Sequence, residues 1–286
     1  MTFRATASTR LVALLGWPAR HSISPAMHNA AFEEQSLDLV YLALPTPPDR
    51  LHTVIDALAA VGAVGANVTV PHKRTALRRC DETTDEAQLV GAVNTLVWTT
   101  DGLLGDNTDA RGLHRVLSEE LGLRSGLRAV ILGTGGGARA TAVALGRMAA
   151  DVNVVGRDDQ AAGDVAELAG EAGAESWSST TSADLAEVER AVAAADLVIN
   201  ATPLGMGSER LPEPFHELRN HQVAYDLVYN PPETPFLADA RAAGAEAHHG
   251  LGMLVAQAAL SYRRWTGREA PAAILSAAAL SALTPR

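Results

Sequence analysis

The amino-acid sequence predicts an α/β protein whose sheets are largely parallel. Its 286 residues suffice for one large domain or two domains of ordinary size. Short apolar runs typical of buried strands alternate with longer stretches of helical periodicity, which indicates a parallel sheet covered by helices on both faces. Aromatic residues make up only 4% of the chain. The core must therefore rest on alanine, valine and leucine, which suits helices packed against a sheet.

The first part of the chain contains several candidate strands separated by helices. Residues 10–16 have the apolar composition of a buried strand. Ser24 and Pro25 then predict a helix start, with Ser24 as the N-cap and Pro25 at the first helical position. The other predicted elements are strand 39–44, helix 49–61, strand 66–70, a hairpin of strands 94–98 and 103–106 around Asp101-Gly102, and helix 111–121.

After Gly126 the pattern changes to a regular alternation of strands and helices. Strand 128–132 passes through glycines into helix 138–150. Strands 152–155 and 197–200 follow, with an alanine-rich helix between them. We therefore expect a domain boundary near residues 111 to 125. On these patterns alone, the helical segment after about residue 252 could belong to either half.

Charge and residue usage exclude several classes of function. The formal net charge of −10 argues against a nucleic-acid partner, whose phosphates require a basic surface. It leaves an anionic substrate possible, because a local pocket can oppose the overall field. Cys80 is the only cysteine, so neither a disulfide framework nor a cysteine-based metal site is expected. The sequence shows no secretory leader and no apolar run of membrane-spanning length, which predicts a cytoplasmic protein without a membrane partner.

A glycine-rich turn links strand 128–132 to the following helix. Its sequence Gly133-Thr134-Gly135-Gly136-Gly137-Ala138 contains the pattern G-x-G-x-x-A. Gly133 permits the tight turn, Gly135 lets the backbone approach a pyrophosphate, and Ala138 is small enough for close packing of helix on strand. The helix N-terminus favours the phosphates. This context predicts a Rossmann-type, doubly wound cofactor domain, although the motif alone also fits a turn without a ligand.

The residues after strand 152–155 bear on the choice of cofactor. Arg157 places a guanidinium there, which matches the 2′-phosphate of NADP in bidentate fashion. Asp158 follows, and an acid in this region can instead hold the free ribose hydroxyl of NAD. Because Arg157 comes first after the strand, we favour NADP and keep NAD as the alternative.

Four polar runs in the first half lie at predicted strand ends or helix starts. They are residues 21–29, 67–73, 91–95 and 105–109. Caps, turns or a solvated lysine would explain each run singly, but not their shared placement, where open α/β sheets collect ligand groups. Short hydroxyl and amide side chains suit a substrate with several hydroxyls and a carboxylate. For hydride transfer to a ketone, Lys73 and Asp109 can form a proton-transfer dyad in which the carboxylate orients the ammonium.

With these runs assembled, the chain resembles the shikimate dehydrogenase family over nearly its whole length. The matching segments are residues 21–29, 67–73, 107–109, 200–206, 226–229 and 250–258. The resemblance implies an N-terminal α/β substrate-binding domain, residues 1–112, joined by C-terminal helices 251–286. It implies a Rossmann-type NADP-binding domain with a doubly wound parallel sheet, residues 113–250. The implied activity is the reversible NADPH-dependent reduction of 3-dehydroshikimate to shikimate, a step in aromatic amino acid biosynthesis.

The resemblance also implies roles for single residues. Lys73 and Asp109 would carry proton transfer, and Asp109 would also bind a ring hydroxyl of the substrate. The substrate carboxylate would be held by Ser22 and Ser24, and the rest of the substrate would meet Asn67, Thr69, Asn94, Tyr229 and Gln257. The cofactor would meet Gly133, Gly135, Gly136 and Arg157, with Thr202 and Gly250 at its nicotinamide end. No metal is expected, because His21, His28 and His72 lack a matching carboxylate spacing.

One departure from the family pattern keeps an alternative open. NADP-specific members often have Asn-Arg-Thr or Asn-Arg-Ser where this chain has Gly156-Arg157-Asp158, so an amide and a hydroxyl are lost and an anion is added. The nearest alternative is an NAD-preferring quinate/shikimate dehydrogenase. Members that accept quinate often replace one serine by threonine, so Ser22 and Ser24 favour shikimate. Lys73 and Asp109 disfavour a non-catalytic metabolite sensor. Either a monomer or a homodimer is expected.

Overall fold

The computed structural model describes residues 5–284 and confirms the predicted α/β class. The chain forms two compact units. The first comprises the residues up to Thr108 and those from Val255 onward, and the second comprises Asp109–Leu254. Each unit has its own six-stranded sheet.

A mixed sheet forms the centre of the first unit. Its elements are β1 Arg10–Gly16, α1 Ser24–Glu34, β2 Leu39–Pro45, α2 Leu51–Ala60, β3 Gly65–Val68, α3 Lys73–Leu77, β4 Glu82–Thr83, α4 Asp85–Val90, β5 Thr95–Thr99 and β6 Gly102–Asp106. The strand order is β2-β1-β3-β5-β6-β4, and β1 runs parallel to β2 and β3. β5 pairs antiparallel with β3 and with β6, which confirms the predicted hairpin around Asp101-Gly102.

The core of this unit lies between the middle strands and α2. The apolar residues Leu51, Ile55 and Leu58 recur at helical spacing along one face of α2 and are buried. They belong to one cluster with Ala13 and Val68 of the sheet. This packing fixes β1 and β3, and two of the four polar runs, residues 21–29 and 67–73, lie at or after their carboxyl ends.

The start of α1 differs from the prediction. The helix begins at Ser24 itself, Ile23 takes the N-cap position, and no side chain caps the helix. The Ser22 hydroxyl instead donates to the Ser24 hydroxyl at 3.2 Å and accepts the Ser24 N–H at 3.2 Å. Ser24 as an N-cap was therefore wrong, because its hydroxyl pairs with Ser22 and not with an N–H of the helix.

The second unit has a purely parallel sheet. Its elements are α5 Asp109–Arg115, β7 Arg128–Leu132, α6 Gly136–Gly146, β8 Asp151–Gly156, α7 Asp159–Glu171, β9 Ser176–Thr181, α8 Leu185–Ala194, β10 Leu197–Asn200, β11 Val223–Asp226, α9 Pro235–Ala242 and β12 Glu246–His249. The strand order β12-β11-β10-β7-β8-β9 is that of a doubly wound dinucleotide-binding sheet, so the predicted Rossmann-type domain is confirmed. The order reverses between β7 and β10, where such sheets bind their ligand.

Two helices complete the chain. α10 Leu251–Thr266 begins in the second unit and continues in the first, and α11 Ala272–Leu283 packs on α1. Within residues 5–284, no helix has the length and apolar character needed to cross a membrane.

Candidate active site

The close approach of two strand ends shapes the candidate substrate site in the first unit. A Cβ at Gly16, the last residue of β1, would lie 2.3 Å from the Thr69 side chain, so only glycine fits there. Thr69 N–H donates to the carbonyl of Leu15, and Trp17 N–H to that of Val70. Thr69 is thereby held at the end of β1, beside the segment that leads to Ser22 and Ser24.

Asn67 is buried, and its amide has a defined orientation. The Tyr41 phenol donates to Oδ1 of Asn67 at 2.8 Å. Nδ2 donates to the Asn94 carbonyl oxygen at 3.1 Å and lies 3.1 Å from the Ser261 hydroxyl. The Asn94 carbonyl can only accept, which decides which end of the amide faces it.

Asn94 is the second fixed amide of the site. Its Oδ1 accepts the Thr108 N–H at 2.9 Å and the Thr95 hydroxyl at 2.8 Å. Its Nδ2 lies 2.9 Å from the Thr108 hydroxyl and 3.4 Å from Oε1 of Gln257. The structure therefore brings the predicted residues Asn67, Asn94 and Gln257 into one buried network.

Ser261 belongs to this network, although the sequence analysis missed it. Its fully buried hydroxyl lies 2.8 Å from that of Thr95 and 3.1 Å from that of Thr108, and it donates to the Gln257 carbonyl. One signal was available: Ser261 follows Gln257 by four residues, which places both on one face of α10.

A buried ion pair holds the run that leads to Asp109. The fully buried carboxylate of Asp106 accepts from Nε of Arg264 at 2.6 Å, from the Thr84 hydroxyl at 2.7 Å and from the Asn107 N–H at 2.8 Å. α10 therefore anchors this run through Arg264 and through Ser261.

Lys73 is the first residue of α3, and hydrogen bonds fix its carbonyl group and the side chain of the preceding residue. Its carbonyl accepts the Val93 N–H at 2.9 Å. The preceding His72 is buried, and its Nε2 donates to the Thr46 carbonyl at 2.8 Å. Lys73 is also the only lysine in the chain. Asp109 is buried in the first turn of α5, and as the first residue of the second unit it lies in a different unit from Lys73.

The glycine turn of the second unit fits a pyrophosphate. Gly133 has a φ of +120°, in the left-handed region, as the tight turn requires. Gly135 takes the N-cap position of α6, where no side chain caps the helix, and no atom lies within 4 Å of the place its Cβ would occupy. The start of α6 thus leaves room beside Gly135, and a helix N-terminus favours an anion.

Arg157 and Asp158 do different things at the end of β8. Oδ1 of Asp158 accepts the Ala161 N–H at 2.8 Å and caps α7. Arg157 is exposed and follows Gly156, whose Cβ position lies 2.8 Å from the side chain of Thr134 in the glycine turn. The acid that the sequence offered for a ribose hydroxyl therefore caps a helix, whereas Arg157 is exposed at the end of β8.

The predicted residues for the nicotinamide end lie on two loops. Thr202 packs on the glycine turn, since a Cβ at Gly133 would lie 3.0 Å from its methyl group. At Gly250 a Cβ would lie 2.2 Å from the Leu227 carbonyl oxygen, so this position excludes any side chain. The Gly250 N–H donates to the carbonyl of Val228, the neighbour of half-buried Tyr229.

The histidines have structural partners. His28 is fully buried and stacks on Tyr41. His248 bonds Glu246 at 2.7 Å, Nδ1 of His249 accepts the Leu251 N–H, and both rings are half-buried. Burial, followed by the charge of Arg241, lowers the pKa of His249. The part of the chain that the structure describes has no group of three His, Cys, Asp or Glu side chains that could hold a metal ion.

Comparison with known proteins places these features in a family. The family model for the shikimate dehydrogenase substrate binding domain matches residues 14–96. The family model for the shikimate 5′-dehydrogenase C-terminal domain matches residues 250–280. A relative from Methanopyrus kandleri, named shikimate dehydrogenase (NADP(+)), is 42% identical over 283 residues, which cover 97% of each chain.

Two solved structures are similar over nearly the whole chain. Shikimate 5-dehydrogenase from Thermus thermophilus, in complex with NADP(H) and shikimate, has a TM-score of 0.84 and 36% identity, covering 96% of this chain and 100% of that one. Quinate dehydrogenase from Corynebacterium glutamicum, in complex with NAD, has a TM-score of 0.85 and 33% identity, covering 96% and 99%.

Proposed function

The chain belongs to the shikimate dehydrogenase family, and we propose that it catalyses the reversible NADPH-dependent reduction of 3-dehydroshikimate to shikimate. The observation that carries this proposal is the network of Asn67, Asn94 and Gln257, whose amides converge from three distant segments. Amide and hydroxyl groups held in fixed orientations suit a ring that carries several hydroxyls.

Substrate binding follows from the polar side chains of the first unit. Ser22 and Ser24 offer paired hydroxyls for the substrate carboxylate at the start of α1. Thr69 and the amide network would bind the ring hydroxyls.

Lys73 supplies the proton. When bound, NADPH would supply a hydride for the carbonyl carbon of 3-dehydroshikimate, and negative charge would then develop on the carbonyl oxygen. Lys73 stabilises that charge and donates a proton to the oxygen, which completes the hydroxyl of shikimate; in the reverse direction neutral Lys73 takes the proton back. The family resemblance assigns Asp109 to the same proton transfer and to a ring hydroxyl of the substrate. A lysine can release its proton whereas arginine remains charged, which explains a lysine at this position in a chain whose other basic residues, histidine aside, are all arginine.

The two residues that follow β8 favour NADP. Arg157 is exposed for the 2′-phosphate, and Asp158 is engaged as a helix cap. An NAD-preferring quinate dehydrogenase stays the second candidate because of the similar Corynebacterium structure. We also propose a cytoplasmic monomer or homodimer without a nucleic-acid partner, in keeping with a net charge of −10.

Steady-state absorbance of the reduced cofactor tests the proposal, with shikimate and quinate each paired with NADP and NAD. Turnover should be fastest with shikimate and NADP. Turnover mainly with quinate and NAD would favour the second candidate, and no turnover with any pair would refute both.

Exchanging the basic residues at positions 73 and 74 isolates the proton transfer. Lys73→Arg keeps the charge but cannot release a proton, so we expect kcat to fall by roughly 10²-fold or more. Arg74→Lys, at an exposed neighbour, is the matched control and should retain wild-type kcat. A Lys73→Arg enzyme with normal kcat would contradict the role of Lys73.

A further inference from the structure

Two buried side chains that the reaction does not use face each other in the second unit. Asn200 ends β10 and Asp226 ends β11, and the two residues are partners in the parallel register. Nδ2 of Asn200 donates to Oδ1 of Asp226 at 2.9 Å. Asn200 is 1% exposed and Asp226 0%. Burying a carboxylate away from water costs free energy, so hydrogen bonds must compensate for the burial of Asp226.

Asn200 closes the loop that follows β10. Its Oδ1 accepts both the N–H of Thr202 at 3.0 Å and the Thr202 hydroxyl at 2.7 Å. Its Nδ2 donates a second hydrogen bond to the Leu204 carbonyl at 3.0 Å. Both donors and both acceptor sites of the amide are therefore used, and the side chain determines where Thr202 stands.

Asp226 holds the loop that follows β11. Its Oδ1 also accepts the Val228 N–H at 2.9 Å, and its Oδ2 accepts the Thr234 hydroxyl at 2.7 Å. Burial raises the pKa of Asp226 to about 6, against the hydrogen bonds from Thr234, Val228 and Asn200, which lower it. All three donors are neutral groups. The Asp226 carboxylate accepts from each of them and so links the end of β10 to the loop after β11.

The loop after β10 carries Thr202, and the loop after β11 contacts Gly250; these are the two residues expected at the nicotinamide end. Thr202 is bonded by Asn200 and packs on Gly133. The backbone of Val228, bonded by Asp226, accepts the Gly250 N–H and precedes Tyr229. Asn200 thus supports Thr202 directly, and Asp226 supports Gly250 and Tyr229 through Val228.

We propose that Asn200 and Asp226 are positioning residues for the nicotinamide half of the dinucleotide. They act through Thr202 and through the backbone at Val228. The inference rests on the proposed function. Its consequence is that disturbing the pair weakens contacts to the nicotinamide half and leaves contacts to the adenosine half intact.

The test compares two ligands by titration calorimetry: NADPH, and adenosine 2′,5′-bisphosphate, which lacks the nicotinamide half. Asn200→Asp keeps the shape of the side chain but turns an acceptor towards Asp226 and the Leu204 carbonyl. We expect NADPH affinity to fall about tenfold or more, and bisphosphate affinity to stay within about twofold, because lost buried hydrogen bonds act locally. Asp226→Asn presents an amide N–H to the Thr234 hydroxyl and should also lower the affinity for NADPH relative to that for the bisphosphate. This variant carries the test if Asn200→Asp does not fold.

Gln222→Glu is a matched control at the opposite end of β11. Gln222 is a buried amide whose Nε2 donates to the carbonyls of Val192 and Ala195. The same amide-to-acid change there should lower the Tm but leave the affinity ratio of the two ligands unchanged. Equal weakening of both ligands in Asn200→Asp, or no weakening of NADPH, would overturn the inference. Wild-type protein that binds neither ligand would refute the proposed function itself.

Discussion

Acidification should destabilise this protein through one histidine, His28. Its ring is fully buried, and neither ring nitrogen has a hydrogen-bond partner among the described residues. The imidazole stacks on Tyr41 with ring centroids 4.5 Å apart, and the Trp265 ring lies 5.2 Å away. Because a charged imidazole would lack solvation there, burial lowers the pKa of His28 to about 3.

The size of the effect follows from linkage. The unfolded chain binds a proton at His28 below pH 6.5, whereas the native state does so only near pH 3, so between these values the unfolded state binds more protons and stability falls as the pH falls. At about 1.4 kcal/mol per pH unit, the contribution of His28 lost between pH 7 and pH 4.5 is about 2–3 kcal/mol. Above pH 6.5 this contribution is fully present.

His28→Phe isolates this term. Phenylalanine can keep the stacking on Tyr41, has no titrating group, and removes two buried nitrogens that lack partners. Urea unfolding of both proteins at pH 7, 5.5 and 4.5 should show the stability of the variant rising relative to wild type by about 2–3 kcal/mol over this range. His52→Gln, at an exposed position of α2, is the control and should follow wild type. A constant difference between His28→Phe and wild type at the three pH values would refute the reasoning.

Three further predictions concern α10 and the two residues that follow β8. Arg264→Met leaves the buried Asp106 carboxylate without its ion pair, so urea unfolding should show a loss of about 2–4 kcal/mol, and adding Asp106→Asn should restore part of it. Ser261→Ala removes an acceptor for Asn67; kcat/KM for shikimate should fall about tenfold while NADPH affinity in calorimetry is unchanged, and an unchanged kcat/KM would contradict the role of Ser261. Arg157→Ser should raise the KM for NADP about tenfold and spare NAD, whereas Asp158→Ala should cost about 1 kcal/mol of stability with no change in cofactor preference.

Much of the fold could be predicted because its signals are local. Apolar runs and helical periodicity predicted most strands and helices, and the strand–glycine turn–helix sequence around Gly133 predicted the Rossmann-type sheet. The exposed edge strand β9, Ser176–Thr181, was missed because its serines and threonines lack an apolar pattern. Family membership, predicted from the ordered polar motifs, is confirmed by the relatives.

The candidate site divides in the same way. Lys73, Asn67 and Asn94 were identifiable because each stands in a motif at a strand end. The partners that orient them were not, since Asn67 meets Ser261 from 194 positions away. The sequence also left Asp158 open between a ribose contact and a helix cap, and only the geometry of α7 shows its hydrogen bond to the Ala161 N–H.

By itself the sequence determined what each segment prefers: strand or helix, turn or cap, and which side chains carry chemistry. Tertiary structure alone decided which of those side chains meet, as in Asn67 with Ser261, Asp106 with Arg264 and Asn200 with Asp226. Backbone preferences and burial depend on neighbours along the chain, so a sequence pattern reports them. Hydrogen bonds between distant segments depend on sheet register and helix packing, which are set only when the whole core assembles.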